Sequence, residues 1–320
     1  SDLVESGAKT QWTDSAYLQD EWKIVPRVTV NLGGRFDYYD GFRTEHQFSP
    51  RANLVWQPTD RTTIHFGYAR YFSPPPFELV ATKSIALFEG TSAAAPVGAK
   101  DTTPFAERQN YFDIGFQQKI AEGLTFWVDC YYRRSKNLID EGQFGAPIIL
   151  TPFNYAKGYA KGIEFSANYE AGPLTAYANL AIARAKGKDI VSSQFNFDPA
   201  DLAYIADHYI YLDHDQTYTV SGGATYRFGN TRISSDVIYG SGLRRDGAVP
   251  NGDKLPSYTQ VNLGASQAFD GLPGGPLTLR LDVTNVFDKK YAIRDGSGVG
   301  VGAPQFGPRR GVFAGVTKAF

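Results

Sequence analysis

The sequence contains no methionine and a single cysteine, Cys130, among its 320 residues. One cysteine excludes a disulfide within the chain and any cysteine-rich metal site. Lysine and arginine (32) balance aspartate and glutamate (33), which excludes the basic surface of a nucleic-acid-binding protein. No apolar run approaches the roughly 20 residues that a membrane-spanning helix needs. The first ten residues also lack a signal-peptide pattern, so we expect a removed leader or a piece of a longer protein.

Aromatic residues and glycine are, by contrast, abundant. There are 20 tyrosines, 22 phenylalanines and 33 glycines. The aromatic girdles and tight turns of a membrane β-barrel account for both, although a β-rich soluble protein shows the same enrichment. Residues 277–284 alternate strictly between leucine or valine and polar residues. This lipid-out, water-in pattern is typical of a transmembrane barrel strand.

The same period of two recurs along the chain and predicts thirteen strands. All exceed the usual soluble strand of about 5–6 residues, whereas tilted membrane strands need roughly 9–11. The predicted strands are 14–24, 28–39, 50–57, 62–72, 108–119, 124–139, 156–170, 174–188, 210–228, 231–242, 255–269, 277–293 and 311–320. Their second faces carry residues such as Arg35, Asp113 and Glu164, which are too polar for a packed sandwich core. We therefore predict an all-β fold, an antiparallel transmembrane β-barrel with a water-filled or plugged lumen.

The connections between these strands alternate in length. Short turns rich in glycine, proline and asparagine, such as 25–27 and 229–230, separate longer segments such as 73–107 and 189–209. Outer-membrane barrels have short periplasmic turns and long extracellular loops. An odd number of strands is unusual for a single-chain bacterial barrel, so we expect the N-terminal part of the barrel to be missing from this chain.

Several segments resemble the C-terminal half of a TonB-dependent outer-membrane receptor. The most specific is Leu281–Tyr291, which resembles the family's asparagine-, phenylalanine- and aspartate-containing motif in the penultimate strand. Residues 16–22, 48–52 and 308–311 resemble further recurrent strand and turn segments of the family. The chain's last residue, Phe320, resembles the terminal aromatic of the closing strand. One departure is Lys318, which stands at an outward position where the family commonly has an aromatic residue.

The resemblance implies that residues 1–320 form one transmembrane barrel domain, the last part of a barrel of about 22 strands, ending in the closing strand 311–320. It implies a Gram-negative outer-membrane receptor for energy-dependent uptake of a scarce nutrient such as a ferric siderophore. The implied partners are outer-membrane lipid and lipopolysaccharide, a small-molecule ligand, the protein's own N-terminal plug and barrel portion, and an inner-membrane energy-transducing protein. The plug itself is absent from this chain. A passive porin-like diffusion channel and a non-transporting surface barrel are the alternatives.

No catalytic constellation is recognisable, so we expect no catalytic residues, no cofactor and no enzyme. The pairs at 207–208 and 213–215 combine aspartate with histidine, but we interpret them as a hydrated rim and predict no metal site. Residues 298–302 are glycine-rich without the strand and helix of a dinucleotide fingerprint. Asp198 and Pro199 predict the N-cap and first residue of a short helix.

Ligand contacts are predicted in the extracellular loops. Segment 73–107 is too long for a passive connector, and we expect Phe77 and Phe88 to contact the ligand unless the loop only braces the barrel. The pairs Arg244–Arg245 and Arg309–Arg310 are expected near the outer rim. Paired arginines bind anionic ligands through bidentate contacts, although lipopolysaccharide phosphates or loop aspartates are equally suitable partners.

Overall fold

The structure, a computed structural model, describes residues 9–80, 103–144 and 149–318. Antiparallel strands form one continuous sheet in which thirteen strands follow the order β1-β2-β3-β4-β5-β6-β7-β8-β10-β11-β14-β15-β18, and β9 pairs with β8. The strands are β1 (Trp12–Val25), β2 (Val28–Asp40), β3 (Thr44–Thr59), β4 (Thr62–Ser73), β5 (Glu107–Ala121), β6 (Leu124–Phe144), β7 (Ile149–Ala171), β8 (Leu174–Ile190), β9 (Ile210–Tyr211), β10 (Tyr218–Phe228), β11 (Thr231–Gly240), β12 (Arg244–Arg245), β13 (Asp253–Lys254), β14 (Tyr258–Phe269), β15 (Leu277–Thr284), β16 (Ala292–Arg294), β17 (Gln305–Phe306) and β18 (Gly311–Lys318). The predicted meander of long strands is confirmed.

Two of the predicted strands are longer than the strands in the structure. The segment 210–228 is divided into β9 and β10, because residues 212–217 leave the sheet and the Asp215 carboxylate accepts the backbone N–H of Ala185. The segment 277–293 ends at Thr284, because Asn285 takes a left-handed conformation (φ 47°) and leaves the ladder. The short strands β16 and β12 pair outside the main sheet, with β17 and β13.

The predicted short helix is present as α1 (Pro199–Asp207). Asp198 occupies the N-cap position with extended backbone angles, but its side chain makes no capping hydrogen bond. Pro199 stands in the first turn, where its missing N–H costs nothing. Among the helices of the described residues, none has the length and apolar character that crossing a membrane requires.

The sheet has one apolar and one polar face, set by the pairing register. Ile114, Cys130 and Ile163 lie side by side across β5, β6 and β7 on the apolar face. The neighbouring residues Asp129 and Glu164 pair on the opposite face. The apolar face remains open, with Ile114 46 % exposed, which suits a wall that turns this face to lipid and the other to a lumen.

Two irregular residues on the apolar face find local partners. Asp20 accepts hydrogen bonds from the Glu21 backbone N–H and the Trp22 indole, which satisfies a carboxylate that otherwise conflicts with the alternation. Lys318 pairs with Leu277, and its Nζ donates to the carbonyl of Pro273 at 2.7 Å. The ammonium group therefore reaches the turn at the end of the strand, as a snorkelling lysine does.

Both ends of the sheet are built differently. Tight turns such as Ala121–Leu124 and Phe228–Thr231 close one end, and the long connections leave from the other, which we call the long-loop end. Near that end, Asn137 in β6 and Asp189 in β8 take left-handed conformations (φ 55° and 62°). Beyond these two residues the side chains change face. Alternation alone would put Leu138 on the apolar face, but its side chain packs against Gly158 of the polar face, in the space that a Cβ at Gly158 would occupy. The buried core of the protein begins at this kink.

Candidate ligand-binding face at the long-loop end

A buried apolar cluster holds the extensions of β6, β7 and β8 against the loops. Phe153, Ile205 and Leu212 are each at most 2 % exposed. The cluster consists of Leu138, Phe153, Tyr155, Ile190, Phe197, Ile205, Ile210, Leu212 and Val299. Burying one such side chain contributes about 1.5–3 kcal/mol. The cluster therefore gives the long-loop end a fixed shape, since it joins helix α1 and the loop after β15 to the sheet.

A charged cluster lies beside this core and joins the end of β6 to two loops. The Asp213 carboxylate accepts hydrogen bonds from His214 Nδ1 at 2.9 Å and from the Val301 N–H at 3.2 Å. Arg294 Nε lies 3.2 Å from Asp213 Oδ2, and Asp140 Oδ1 lies 3.7 Å from His214 Nδ1. We call these four charged residues the loop clasp.

The clasp shifts the pKa of its loop members in opposite directions. The hydrogen bond with Asp213 raises the pKa of His214. Burial alone raises the pKa of Asp213, but the hydrogen bond from His214 and the charge of Arg294 outweigh it and leave that pKa lowered. The Asp213 carboxylate favours the protonated form of His214, whereas burial raises the pKa of Asp140 to about 7 and favours its neutral form.

Asp140, Asp213 and His214 also bring three possible metal-ligand atoms within 4.8 Å of one another. The sequence singled out Asp213 and His214, but Asp140 comes from a distant strand and no local pattern announced it. Arg294 already supplies a positive charge at Asp213. This arrangement accounts for the cluster as an ion-pair network, and the expectation of no metal site stays a prediction.

Two fully buried asparagines fasten the remaining loop backbone. Asn251 donates through Nδ2 to the carbonyls of Tyr211 and Val299, and its Oδ1 accepts the Val299 N–H. Asn285 does the same for Lys289 and Pro308, at 2.8 to 3.0 Å. Asn285 is the asparagine of the Leu281–Tyr291 motif, and its contacts show that the motif turns the chain out of β15.

In the first predicted arginine pair, only one arginine is held by a carboxylate among the described residues. Arg244 has a side chain only 4 % exposed, lies 2.8 Å from Asp215 Oδ1 and stacks on the ring of Tyr211 at 3.4 Å. Arg245 is half-buried, and its Nε has no hydrogen-bond partner among the described residues. The pair therefore divides into an arginine held by a carboxylate and one whose Nε is buried and unpaired among the described residues.

The second pair divides in the same way. Arg309 forks onto the Asp288 carboxylate, with Nε donating to Oδ1 at 2.7 Å and Nη2 donating to Oδ2. These hydrogen bonds lower the pKa of Asp288. Arg310 contributes its backbone N–H to the same carboxylate at 3.1 Å, and its side chain is exposed. Arg309 thus forms an ion pair with Asp288, whereas the Arg310 side chain is exposed to solvent.

The predicted aromatic contacts lie in a different part of the same end. Phe77 begins a single turn of 3-10 helix, Phe77–Leu79, and packs on Phe42 of the β2–β3 connection with ring centroids 4.9 Å apart. The Nζ of Lys9 lies 4.3 Å from the centroid of the Phe42 ring. Phe88 lies outside the described residues, as does Phe320.

The polar face of the sheet beneath the loops carries its own networks. His65 Nε2 lies 3.1 Å from Asp113 and 3.4 Å from Asp129. The Tyr111 ring stacks on Tyr131 with centroids 6.3 Å apart. These groups form a wall of hydrogen-bonding and aromatic side chains below the loops. The arrangement is that of an outer-membrane β-barrel with an ordered extracellular end.

The family model for the barrel of TonB-dependent receptor-like proteins matches residues 3–286. The chain therefore belongs to the TonB-dependent receptor family, and the predicted resemblance and outer-membrane location are confirmed. The family is one of receptors and transporters.

Among curated proteins, the chain is 23 % identical over 321 aligned residues to PirA of Acinetobacter baumannii, a probable TonB-dependent siderophore receptor, covering 89 % of this chain and 40 % of PirA. It is 35 % identical over 81 residues to the TonB-dependent transporter Oar of Myxococcus xanthus, covering 22 % of this chain and 8 % of Oar.

Solved structures share the fold. The FrpB iron transporter from Neisseria meningitidis superposes with a TM-score of 0.67 at 17 % identity, covering 96 % of this chain and 45 % of that protein. The copper transporter OprC gives the same TM-score and identity, covering 96 % and 47 %. The chain thus spans less than half the length of these proteins.

Proposed function

We propose that this chain is the C-terminal barrel portion of a receptor that takes up a scarce nutrient, such as a ferric siderophore, by an energy-dependent mechanism. The observation that carries the proposal is the ordered set of loops over a polar lumen. Loops fixed by buried amides and ion pairs present a preformed surface, and preorganisation reduces the entropic cost of ligand binding. PirA, the relative matched over most of this chain, is a probable siderophore receptor.

Within that surface we assign ligand contact to Phe77, Arg245 and Arg310. The Arg310 side chain is exposed, and the half-buried Arg245 has no carboxylate partner among the described residues, whereas Arg244 and Arg309 are held by Asp215 and Asp288. An iron-bound siderophore offers carboxylate, catecholate or hydroxamate oxygens, which guanidinium groups bind well. Phe88 remains a predicted ligand contact in the same segment as Phe77.

The uptake mechanism requires groups outside this chain. Ligand capture by the loops is followed by rearrangement of the receptor's N-terminal plug, driven by an inner-membrane energy-transducing protein. The barrel portion supplies the outer binding surface and the lumen through which the ligand passes. Lipid and lipopolysaccharide surround its apolar face.

The test measures uptake of radioiron-labelled ferric siderophores by cells whose only siderophore receptor is the full-length parent protein. We expect saturable uptake that stops when the energy-transducing protein is deleted or the proton gradient is collapsed. Uptake that persists in de-energised cells identifies a passive channel instead. No uptake of any ferric siderophore by energised cells with correctly inserted receptor rejects the substrate class.

A further inference from the structure

Three arginines lie in one row on the polar face of the sheet, near the short turns. The pairing register places Arg227 opposite Arg232, Arg232 opposite Ser266, and Ser266 opposite Arg280. Neighbouring strands lie about 4.8 Å apart, so the row spans about 14 Å. Like charges directly opposite one another destabilise a sheet, and the pairing of Arg227 with Arg232 therefore costs stability. We call these three arginines the arginine row.

One member of the arginine row has a carboxylate partner. Arg280 Nε lies 2.6 Å from Asp282 Oδ2, which offsets the charge of this arginine. Arg227 and Arg232 are exposed, and neither makes an ion pair within residues 9–80, 103–144 and 149–318. The row therefore presents a net positive charge to the lumen.

Small residues keep the wall beside the row open. A cavity of about 420 Å³ is lined by Arg232 and Arg280, together with Gly264 and Ser266 from the strand between them. A Cβ at Gly264 would stand 2.6 Å from the hydroxyl of Ser234, so this glycine leaves the space that the neighbouring polar side chains need. The volume lies in the range of small-molecule sites, roughly 300–1,000 Å³.

A second cavity continues from the first one along the polar face. It has a volume of about 490 Å³ and shares Thr225 and Ser234 with the first. Tyr177 of β8 and Gly223 of β10 are among its other walls. The open surface beside the arginine row therefore extends across β8 and β10, and a ligand larger than one carboxylate has room to approach the guanidinium groups.

We propose that the arginine row is an exit site in the lumen, which binds the anionic chelate after it leaves the loops and before it reaches the periplasm. Arg232 is the second residue of β11 and Gly240 is the last, so the row lies about 27 Å along the strand from the long-loop end. This distance makes it a second site, separate from Phe77, Arg245 and Arg310.

The chemistry of the row suits a site that must also release its ligand. Guanidinium groups bind carboxylate, catecholate and hydroxamate oxygens by charge-assisted hydrogen bonds. Because Arg227 and Arg232 are exposed, water screens these contacts and keeps them weak. Passage through a pore requires binding that favours entry but still allows departure. The inference rests on the proposed function, since it assigns a second site to the same ligand.

The first experiment measures the attraction of the row for anions without any siderophore. Purified full-length parent receptor carries Cys130→Ala and one new cysteine, either Ser266→Cys in the row or Ser166→Cys as the matched control. Ser166 is also half-buried on the polar face, but its row contains no arginine. The partners of Ser166 across the sheet are Gln117, Trp127, Asn179 and Ser221. Reaction rates with an anionic and a cationic methanethiosulfonate reagent are compared at low ionic strength.

We expect the ratio of the anionic to the cationic rate to be about tenfold higher at Ser266→Cys than at Ser166→Cys. Adding Arg227→Gln and Arg232→Gln should bring the ratio at Ser266→Cys down to the control value. Equal ratios at the two positions overturn the site. Failure of Ser266→Cys to react with either reagent shows that another part of the receptor covers the row, which also overturns it. If Ser266→Cys does not insert, Ser234→Cys in the same cavity takes its place.

The second experiment separates exit from capture in cells whose only siderophore receptor is the full-length parent. Arg227→Gln combined with Arg232→Gln should lower the maximal uptake rate of the ferric siderophore about tenfold and leave Kd within about twofold of the wild type. Arg227→Lys combined with Arg232→Lys keeps both charges and should restore most of the rate. The control combines Arg51→Gln with Lys119→Gln, which removes two exposed polar-face cations outside the row and should leave uptake unchanged.

Equal maximal rates in the test and control variants overturn the exit site, as does a raised Kd with an unchanged maximal rate. No uptake of any ferric siderophore by the wild type rejects the proposed function and the choice of ligand. The reagent rates decide independently whether the arginine row attracts anions, so the two failures are distinguishable.

Discussion

The long-loop end contains two regions that are stabilised in different ways. The loops after β8, β11 and β15 are fastened by buried polar groups: Asn251 and Asn285 are 0 % exposed, and Asp215 is 4 % exposed. The connection after β2 and the start of the segment after β4 meet through half-buried rings, Phe42 and Phe77. Buried hydrogen bonds demand one geometry, whereas ring contacts tolerate sliding. We infer that the first region, the fastened loops, keeps the shape of the end, and that the second region, the ring pair, adjusts to a ligand.

The largest effect is expected at Arg244. Substituting Arg244→Ala leaves Asp215 buried without its counter-ion, which costs about 3–5 kcal/mol. The matched substitution Arg245→Ala removes a guanidinium without a carboxylate partner and should cost less than about 1 kcal/mol of stability. Denaturant unfolding of the full-length receptor measures both. Equal losses in the two variants contradict the division of this pair.

Asn285→Ala tests the second fastening point. The substitution leaves the carbonyls of Lys289 and Pro308 and the Lys289 N–H without a partner, and it places alanine at a positive φ, so we expect a loss of about 2–4 kcal/mol. Asn230→Ala is the control, because Asn230 donates to Asp270 in an exposed turn. Its loss should stay below about 1 kcal/mol. A stable Asn285→Ala variant shows that the motif is not needed to turn the chain out of β15.

The loop clasp predicts a smaller, pH-dependent effect. Because the folded pKa of His214 is raised, its stabilising contribution is complete below its ordinary pKa of about 6.5 and is lost as pH rises through the folded pKa. The lowered pKa of Asp213 acts oppositely, so its contribution is lost only in acid. With the His214 side chain half-exposed, the effect should stay below about 1 kcal/mol.

Hydrogen–deuterium exchange at residues 212–217 and 294–301 measures this effect. Exchange should accelerate between pH 6 and pH 9 more than the intrinsic rate does in the wild type, and His214→Gln should remove the excess. Identical pH profiles in the two proteins show that His214 does not titrate within the clasp.

The alternation of the sequence predicted the sheet well because each strand has one apolar and one polar face. It failed at residues 212–217, through which the strand was continued although residues 213–217 are all polar. The fold uses Asp215 there to bind Arg244 and the Ala185 N–H. It failed after Thr284 for a similar reason, since the left-handed turn at Asn285 depends on carbonyls up to 23 residues away.

The candidate site was predictable only in part. The sequence predicted both arginine pairs and Phe77 as site residues, but no local pattern distinguished the arginine that pairs with a carboxylate from its neighbour. The partners that decide this, Asp215 and Asp288, lie 29 and 21 residues away. Asp140 and Arg294 of the clasp were missed because long-range pairing alone brings them to His214.

The equilibrium affinity of the full-length receptor for the proposed ferric-siderophore ligand tests the central claim most directly. If Phe77 and the arginines without a carboxylate partner bind the ligand, Phe77→Ala and Arg245→Ala should each raise Kd about tenfold. This corresponds to a loss of about 1.4 kcal/mol of binding free energy. Lys119→Ala, near a short turn, should leave Kd within about twofold of the wild type. Unchanged Kd in both loop variants, with correctly folded receptor, contradicts the account and places ligand capture elsewhere.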